Sequence, residues 1–273
     1  MSGSLESLNK LISDNDDKLK KLEDWIATQK HIPKNISRNV LIRYLKVRDF
    51  DLEEAKKLID GNVKFRIKNK YLFTNRDIES DNFQKLFSTI NVARFPKLTK
   101  EGYSIEASQI KDSNASNFSI KSAIELVLII HDTMAYTGPN TNGGIKIYDA
   151  SEFSFQHFLS VVSSIQAAIH FSQYGSTYTL EPPKQIHFLH CSSFIRKLIR
   201  MLKPFFSKEI MESIHCHPAG FESLHTFIDK ECLPVEYGGT LGTLEEHVKN
   251  TQKNLKSNRD FIINDENFFI ISK

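Results

Sequence analysis

The pattern of apolar residues changes near residue 90, and this change constrains the fold more than any other feature of the chain. Beyond it, short β-like segments at residues 103–107, 145–149 and 186–190 alternate with longer apolar segments of helical character, such as residues 120–131. Strands that alternate with helices of this length are typical of βαβ units. The sequence therefore predicts an α/β domain with a mostly parallel sheet.

The segment before residue 90 is instead rich in helical signals and poor in Gly and Pro. Leu19, Leu22 and Ile26 recur at a spacing that places them on one face of a charged helix. Ser37 is placed to cap a second helix, and Asp51, with a Glu three residues later, is placed to cap a third. These features predict a small helical domain.

Three segments follow from these patterns. Residues 1–90 form an N-terminal helical domain, residues 91–242 form the α/β domain, and residues 243–273 form a C-terminal helix and tail. The last helix is predicted to begin at Thr243, because Glu246 stands three residues later, at the spacing of a capping box.

Composition and charge exclude several classes of protein. The chain is 40% hydrophobic and 25% charged, as globular proteins are, and its formal net charge of +3 is too small for the broad basic field of a nucleic-acid-binding protein. The longest apolar run, residues 126–130, is far too short to cross a bilayer. The first residues lack the pattern of a secretory signal, so we expect a cytoplasmic protein.

Motifs for catalysis and cofactor binding are missing from the sequence. There is no G-x-G-x-x-G segment, no Walker A segment and no G-x-S-x-G nucleophile elbow. The sequence therefore predicts neither an enzyme nor a cofactor.

Histidines and cysteines are the remaining candidates for a metal site. His187 and His190, and likewise His215 and His217, are expected to point to opposite faces of a strand, so they are predicted to be separately hydrogen-bonded residues and not metal ligands. Cys191 and Cys216 are predicted to be small buried residues. Because the three cysteines are odd in number and widely spaced, we expect reduced thiols.

Residues 193–203 predict a short amphipathic helix with one strongly basic face. The apolar residues Ile195, Leu198 and Leu202 share one side of it. The other side carries Arg196, Lys197, Arg200 and Lys203. Two interpretations stay open on this pattern alone: a surface helix that rests on the core, or a movable helix that meets anionic lipid headgroups.

Four segments in order resemble the motifs of one family. Residues 233–239, L-P-V-E-Y-G-G, resemble the L-P-x-E-Y-G-G signature of the CRAL-TRIO lipid-binding domain, of the cellular retinaldehyde-binding protein and α-tocopherol transfer protein type. Residues 41–51 are similar to the family's N-terminal L-x-R-F-L-R-A-R-x-F-D segment. Residues 144–149 resemble its central strand, and residues 202–206 its K-P-F-L segment. These matches span nearly the whole chain.

The resemblance implies a helical N-terminal region packed on an α/β domain whose sheet forms the floor of an apolar pocket. A gate helix at about residues 193–203 would close that pocket. The chain has 20 Phe but one Trp, which suits an interior of smooth apolar surface. The residues we predict for the pocket or the gate are all apolar: Phe158, Ile165, Ile169, Phe194, Leu198 and Leu202.

The resemblance also implies basic positions that contact phosphoinositide headgroups in some members. Arg48 and Lys184 occupy two such positions, whereas Pro182 and Ser213 stand where further basic residues would be expected. We therefore expect weaker phosphoinositide binding than in those members. With the four basic residues of the gate helix, Arg48 and Lys184 complete the predicted membrane contact. His190 and Cys191 replace the family's usual Ile-Asn at the end of the strand before the gate, a polar change that can alter ligand choice.

The resemblance predicts a cytoplasmic, monomeric carrier that binds a small hydrophobic lipid, such as a retinoid, tocopherol, carotenoid or similar isoprenoid-like molecule, and exchanges it at anionic membranes. Two alternatives stay open. One is a phospholipid or phosphoinositide exchange protein of the same fold. The other is an interaction module without a ligand, in which the protein's own side chains would fill the pocket.

Overall fold

A computed structural model describes residues 2–264, 267 and 268. Part of the predicted C-terminal tail, residues 265–266 and 269–273, lies outside the described residues. The helix predicted before that tail does begin after Thr243, whose hydroxyl accepts from the Glu246 backbone N–H while the Glu246 carboxylate accepts from the Thr243 backbone N–H.

The N-terminal region consists of helices, and all but the last of those named below share one apolar core. The predicted stripe is confirmed, because Leu19, Leu22 and Ile26 are all buried in that core. Asp51 caps its helix by accepting from the Glu54 backbone N–H at 2.9 Å, whereas Ser37 occupies its cap position without a side-chain hydrogen bond. The helices are α1 (Ser2–Asp14), α2 (Asp16–Thr28), α3 (Arg38–Val47), α4 (Leu52–Lys68) and α5 (Asp81–Thr89).

Within the described residues, five strands form one sheet in the order of the chain. The first two strands are antiparallel and the other pairs are parallel, as the sequence predicts for most of the sheet. The strands are β1 (Ile90–Arg94), β2 (Ser104–Ile110), β3 (Gly144–Asp149), β4 (Pro183–Leu189) and β5 (Ile214–His217).

The helices of the α/β domain cover the sheet. Residues 158–169, whose apolar pattern predicts one helix, lie on two helices, because the backbone turns at Ser164, which ends one helix and begins the next. Ser competes with helix geometry through its own hydroxyl, and Ser163 precedes it. The helices are α6 (Ile120–Thr137), α7 (Phe155–Ser163), α8 (Ile165–Thr177), α9 (Ser193–Leu202), α10 (Lys208–Glu212), α11 (Leu244–Ser257) and α12 (Arg259–Ile263).

A buried ion pair joins the N-terminal helices to the α/β domain. Arg66 of α4 donates to both carboxylate oxygens of Asp132 on α6, at 2.6 and 2.9 Å, and to the Tyr174 hydroxyl on α8. Arg76 donates to the same carboxylate at 2.6 Å. Because burial raises the pKa of a carboxyl group, these two guanidinium groups are what keep the pKa of Asp132 below its usual value.

The prediction for His215 and His217 is wrong. Residues two apart on a strand share a face, and both rings lie against His187, with centroids 5.0 and 5.1 Å away. His187 Nδ1 lies 2.9 Å from His217 Nε2. Burial first, and then the two neighbouring imidazoles, lower the pKa of His187 to about 3. Cys216 also differs from the prediction, because it is exposed, whereas Cys191 is buried as expected.

Candidate functional site

One face of the sheet borders an apolar cavity of about 280 Å³. This volume is close to the lower end of small-molecule pockets, which enclose about 300–1,000 Å³. The strands supply alternate residues, because side chains of one parity point to one face. From β2 to β5 the residues at this face include Ser108, Ile110, Tyr148, Ile186, Phe188 and Ile214.

The roof of the cavity consists of helices α6 to α9. Helix α6 contributes Ala123, Ile124 and Val127, and α8 contributes Phe171 and Gly175. Sequence analysis missed these residues, since α6 and α8 are apolar on several sides. The periodicity does not show which side faces a space and which a packed neighbour.

A helix lies where the gate helix is predicted, and it covers one side of the cavity. We call α9 the gate helix. Its apolar residues Ile195, Leu198, Ile199 and Leu202 all border the cavity. Ser192 caps its first turn by accepting from the Ile195 backbone N–H at 3.4 Å.

The predicted pocket or gate residues fall into three groups. Leu198 and Leu202 border the cavity. Phe158 and Phe194 instead pack together beside Leu198, with ring centroids 5.9 Å apart. The remaining two, Ile165 and Ile169, are half-buried on α8, which turns Phe171 and Gly175 to the cavity in their place.

Charged side chains meet at the polar end of the cavity. Arg94 Nη2 donates to Glu181 Oε1 at 2.7 Å, and Lys146 Nζ donates to Glu181 Oε2 at 3.3 Å. Lys146 Nζ also lies 2.9 Å from His131 Nε2, which is 3.2 Å from Glu106 Oε1. We call these five residues the ionic cluster. His131, Lys146 and Glu181 border the cavity itself.

The ionic cluster carries balanced charge. Burial acts to raise the pKa of Glu106, but Lys146, His131 and Arg94 outweigh it and lower the pKa to about 2. In the same way, Arg94 and Lys146 hold the pKa of Glu181 well below its usual value despite burial. Two carboxylates, Glu106 and Glu181, thus face two cations, Arg94 and Lys146. The formal charges of these four residues therefore balance.

The outer side of the gate helix carries exposed charge next to exposed apolar groups. Arg196, Lys197, Arg200 and Lys203 are all exposed, and no carboxylate in the described part of the chain pairs with them. Four large apolar side chains are exposed on α7 and at the end of the gate helix: Phe155, Leu159, Met201 and Phe205. We call these eight residues the docking surface. The two helices pack together, since the Phe155 and Phe194 rings lie 5.4 Å apart.

Arg48 and Lys184, the other two predicted membrane contacts, are distant in sequence from the basic residues of the docking surface. Lys184 is exposed and its side chain lies against Gly143, in the loop of residues 138–143. Arg48 donates to the Thr177 carbonyl at 3.2 Å. Sequence analysis did not include Lys46 among the basic residues near this loop. Lys46 Nζ donates to the Thr141 carbonyl of the loop at 3.0 Å.

Pro182 and Ser213, the two departures from the family pattern, form hydrogen bonds with nearby backbone groups. The Pro182 carbonyl accepts from the Gly144 backbone N–H at 3.0 Å, and the Ser213 hydroxyl donates to the Ile210 carbonyl at 2.8 Å. Neither residue offers a cation at these positions.

No helix in the described ranges has the length and apolar character needed to span a membrane.

Comparison with protein families matches most of the chain. Residues 90–239 match the CRAL/TRIO domain, and residues 11–83 match the Pinta-like UBA domain. Clavesin-1 of Xenopus laevis is 28% identical over 211 residues, covering 74% of this chain and 60% of that protein. Clavesin-2 of Homo sapiens is 23% identical over 203 residues, covering 74% and 61%. The chain thus spans about three-fifths of the length of these relatives.

Among solved structures, the crystal structure of Sfh5 shares the fold, with a TM-score of 0.52 at 11% identity, over 96% of this chain and 98% of that one. A mostly parallel sheet that borders an apolar cavity under an amphipathic helix is the arrangement that the sequence resemblance implies. The chain belongs to the CRAL/TRIO domain family. This is a family of lipid-binding and lipid-transfer proteins that associate with membranes, and not of enzymes.

Proposed function

We propose that the chain binds one small, neutral, hydrophobic lipid in the cavity and transfers it between membranes. Retinoids, tocopherols, carotenoids and similar isoprenoid-like molecules are the ligands we favour. The observation that carries this proposal is the apolar cavity of about 280 Å³, whose polar end carries balanced charge.

Burial of apolar surface supplies the affinity. At about 25 cal/mol per Å², a ligand that buries roughly 400 Å² of apolar surface gains about 10 kcal/mol before the costs of association. Few polar contacts are then needed. Lys146 and His131 are placed to hydrogen-bond a hydroxyl or carbonyl group of such a ligand.

A neutral ligand fits the ionic cluster better than a charged one. Glu106 and Glu181 already balance Arg94 and Lys146, so a buried phosphate or carboxylate in contact with them would add an uncompensated negative charge. Burying an unpaired charge is costly. A phosphate headgroup would have to remain outside the cavity.

Transfer would take place through the docking surface. In water the apolar side of the gate helix faces the cavity, and its basic side faces solvent. At an anionic bilayer, lysine and arginine near the surface are worth about 1 kcal/mol each, and the exposed Phe155, Leu159, Met201 and Phe205 can enter the headgroup region. Opening the gate costs less there, because its apolar side meets lipid. A cytoplasmic monomer that binds membranes transiently would suffice for this mechanism.

The test is transfer of a fluorescent retinoid or tocopherol analogue from the protein to vesicles that contain phosphatidylserine. The variant R196Q/K197Q/R200Q/K203Q should transfer at least about tenfold more slowly to these vesicles, since the four charges together are worth up to about 4 kcal/mol. Retention of the analogue in water should not change. Equal rates for the variant and the wild type would contradict the proposed role of the gate helix.

A matched control removes the same charge elsewhere. Lys20, Lys21, Lys253 and Lys256 are exposed on α2 and α11. The variant K20Q/K21Q/K253Q/K256Q should transfer at the wild-type rate, and a comparable loss in this control would show that net charge, and not the docking surface, governs transfer.

A second candidate, a phospholipid or phosphoinositide exchange protein, has one supporting observation: Lys46 and Lys184 both contact the loop of residues 138–143, where they could meet a phosphate outside the cavity. Mass spectrometry of the lipid that co-purifies with the protein separates the two. A neutral isoprenoid-like molecule supports our proposal, whereas a phosphorus-containing lipid supports the second candidate. A protein whose cavity stays empty, and that takes up neither lipid from vesicles, would instead fit the interaction module.

A further inference from the structure

Two thiols meet at the base of the gate helix. Cys191 lies directly before the capping residue Ser192 and packs with Ala150 and Ile195. Cys216 lies on β5, opposite Phe188 of β4. The Cys191 thiol lies against Cys216, and burial first, and then this contact, raise the pKa of Cys191 to about 12.

The backbone holds the two cysteines in this position. The Cys191 N–H donates to the His217 carbonyl on β5 at 3.1 Å, so residues 191 and 216 lie on neighbouring segments of backbone. The Cys191 carbonyl accepts from Arg196 Nη1 of the gate helix at 2.8 Å. His190, before Cys191, has a φ of 51°, in the left-handed region that turns the chain from β4 to the gate helix. Cys191 thus sits in the connection about which the gate helix would move.

The two thiols differ in access to solvent. Cys216 is exposed, whereas Cys191 is 2% exposed. An exposed thiol beside a buried partner is the arrangement in which one cysteine reacts first with an oxidant and the other resolves the product. The third cysteine, Cys232, is buried elsewhere, against the carbonyl of Leu98.

We infer that Cys191 and Cys216 form a reversible disulfide that ties the N-terminal end of the gate helix to strand β5. The sequence alone indicates reduced thiols, and the structure adds that two of them are in contact. The disulfide itself does not depend on the proposed function, whereas its effect on lipid transfer rests on it.

A small-molecule disulfide such as oxidised glutathione can serve as the oxidant. The Cys216 thiolate attacks one glutathione sulfur, a mixed disulfide forms, and the glutathione S–S bond breaks to release one glutathione thiolate. Cys191 then loses its proton and attacks the Cys216 sulfur, which forms the protein disulfide and releases the second glutathione thiolate. The two electrons and two protons lost by the cysteines are recovered in two glutathione thiols.

The disulfide is tested by mass spectrometry of the full chain after incubation with oxidised glutathione. The protein should become lighter by two hydrogens, and digestion without reductant should yield one peptide pair that links residues 191 and 216. Because the Cys191 thiolate is scarce at neutral pH, the mixed disulfide on Cys216 should accumulate first and resolve faster as pH rises. Three free thiols after prolonged oxidation, or a link to Cys232, would overturn the inference.

Single variants assign the two steps. C191A should stop at the mixed disulfide on Cys216, and C216S should not react, since its remaining thiols are buried. C232A is the matched control and should form the disulfide like the wild type. If C191A fails to fold, C216S, at an exposed position, still decides the matter: a disulfide in C216S would contradict the assignment.

The restraint on the gate helix is measured by hydrogen–deuterium exchange. Closing the loop between residues 191 and 216 removes freedom from the open state, so amides of the gate helix should exchange roughly tenfold more slowly in the oxidised protein. Amides of α11 should not change. Unchanged exchange in the gate helix, with the disulfide formed, would overturn the claim that the bond restrains it.

Lipid transfer provides a separate measurement. Oxidised wild type should transfer a bound analogue to anionic vesicles more slowly than reduced wild type, while oxidised C216S should not. If no form of the protein transfers lipid but the disulfide forms and slows exchange, the proposed function fails and this inference stands. If reduced protein transfers lipid and no disulfide forms, the inference fails and the proposed function stands.

Discussion

The two faces of the sheet carry similarly apolar strands, yet only one face is filled. Ile147 and Leu189 pack against Leu233 and its neighbours in a continuous core, which we call the filled face. Tyr148 and Phe188, the adjacent residues on β3 and β4, border the cavity. The difference arises from what covers each face: α11 and the 3₁₀ turns before it on one side, and helices α6 to α9 on the other. A hollow interior thus depends on the covering elements and not on the strands.

Paired isoleucine substitutions test this comparison with the largest expected effect. I147A, on the filled face, should lower the free energy of unfolding by about 3 kcal/mol, because a buried side chain is lost and its neighbours cannot close the gap. I186A, on the cavity face, should cost only about 1 kcal/mol, since Ile186 already lacks neighbours on one side. Denaturant unfolding measures both. Equal losses would mean that the cavity is closed in solution.

Sequence analysis predicted the elements whose signals are local. The gate helix follows from apolar residues at helical spacing, and α11 from the capping box at Thr243. Strand β3 follows from alternating Ile145, Ile147 and their polar neighbours. Each of these three elements is indicated by residues that are close together in the sequence, so no tertiary contact was needed to predict it.

The cavity lining and the ionic cluster could not be predicted in this way. Arg94, Glu106, Lys146 and Glu181 come from four separate segments and meet only because β1 to β4 lie side by side. One signal was available: Lys146 stands between two isoleucines in a strand that is otherwise buried, and a charge there requires partners. Strands β1 and β5, short and at the edges of the sheet, gave no clear pattern.

Acid should destabilise the cavity face selectively. Glu106 has a pKa of about 2 against 4.5 ordinarily, so it contributes stability that is fully present above pH 4.5 and is lost as the pH falls toward 2. The difference amounts to about 3 kcal/mol at most. The free energy of unfolding of E106Q, lower at neutral pH, should fall less between pH 5 and pH 2 than that of the wild type.

The matched control for acid unfolding is E152Q, since Glu152 is exposed and forms no ion pair in the described part of the chain. Its unfolding profile should follow that of the wild type. An E106Q profile parallel to the wild type would show that Glu106 is not ionised in a charged cluster.

Two alanines test which face has room. Ala107 is buried on the filled face, and A107L should cost about 2 kcal/mol through overpacking. Ala123 borders the cavity, so A123L should cost less than about 0.5 kcal/mol and should reduce uptake of a lipid analogue. Thermal and denaturant unfolding of both variants provide the comparison. A large loss in A123L would mean that the space beside α6 is too small to hold a side chain, and therefore too small for a ligand.

The smallest expected effect concerns the caps of the helices that cover the two faces. Thr243 begins α11, which packs Leu244 on the filled face, and its capping box satisfies two backbone groups. T243A should therefore lower global stability by about 1 kcal/mol. Ser192 begins the gate helix with a single long hydrogen bond of 3.4 Å to the Ile195 N–H.

S192A should lower global stability by less than about 0.5 kcal/mol, because unfolding of the gate helix alone exposes little of the filled core. It should instead speed exchange of the amides in the first turn of the gate helix by about threefold, and release of a bound lipid analogue with it. If S192A lowers global stability as much as T243A, the gate helix unfolds together with the rest of the protein and cannot open on its own. If only local exchange changes, the covering of the cavity is an independent unit, as transfer of a ligand requires.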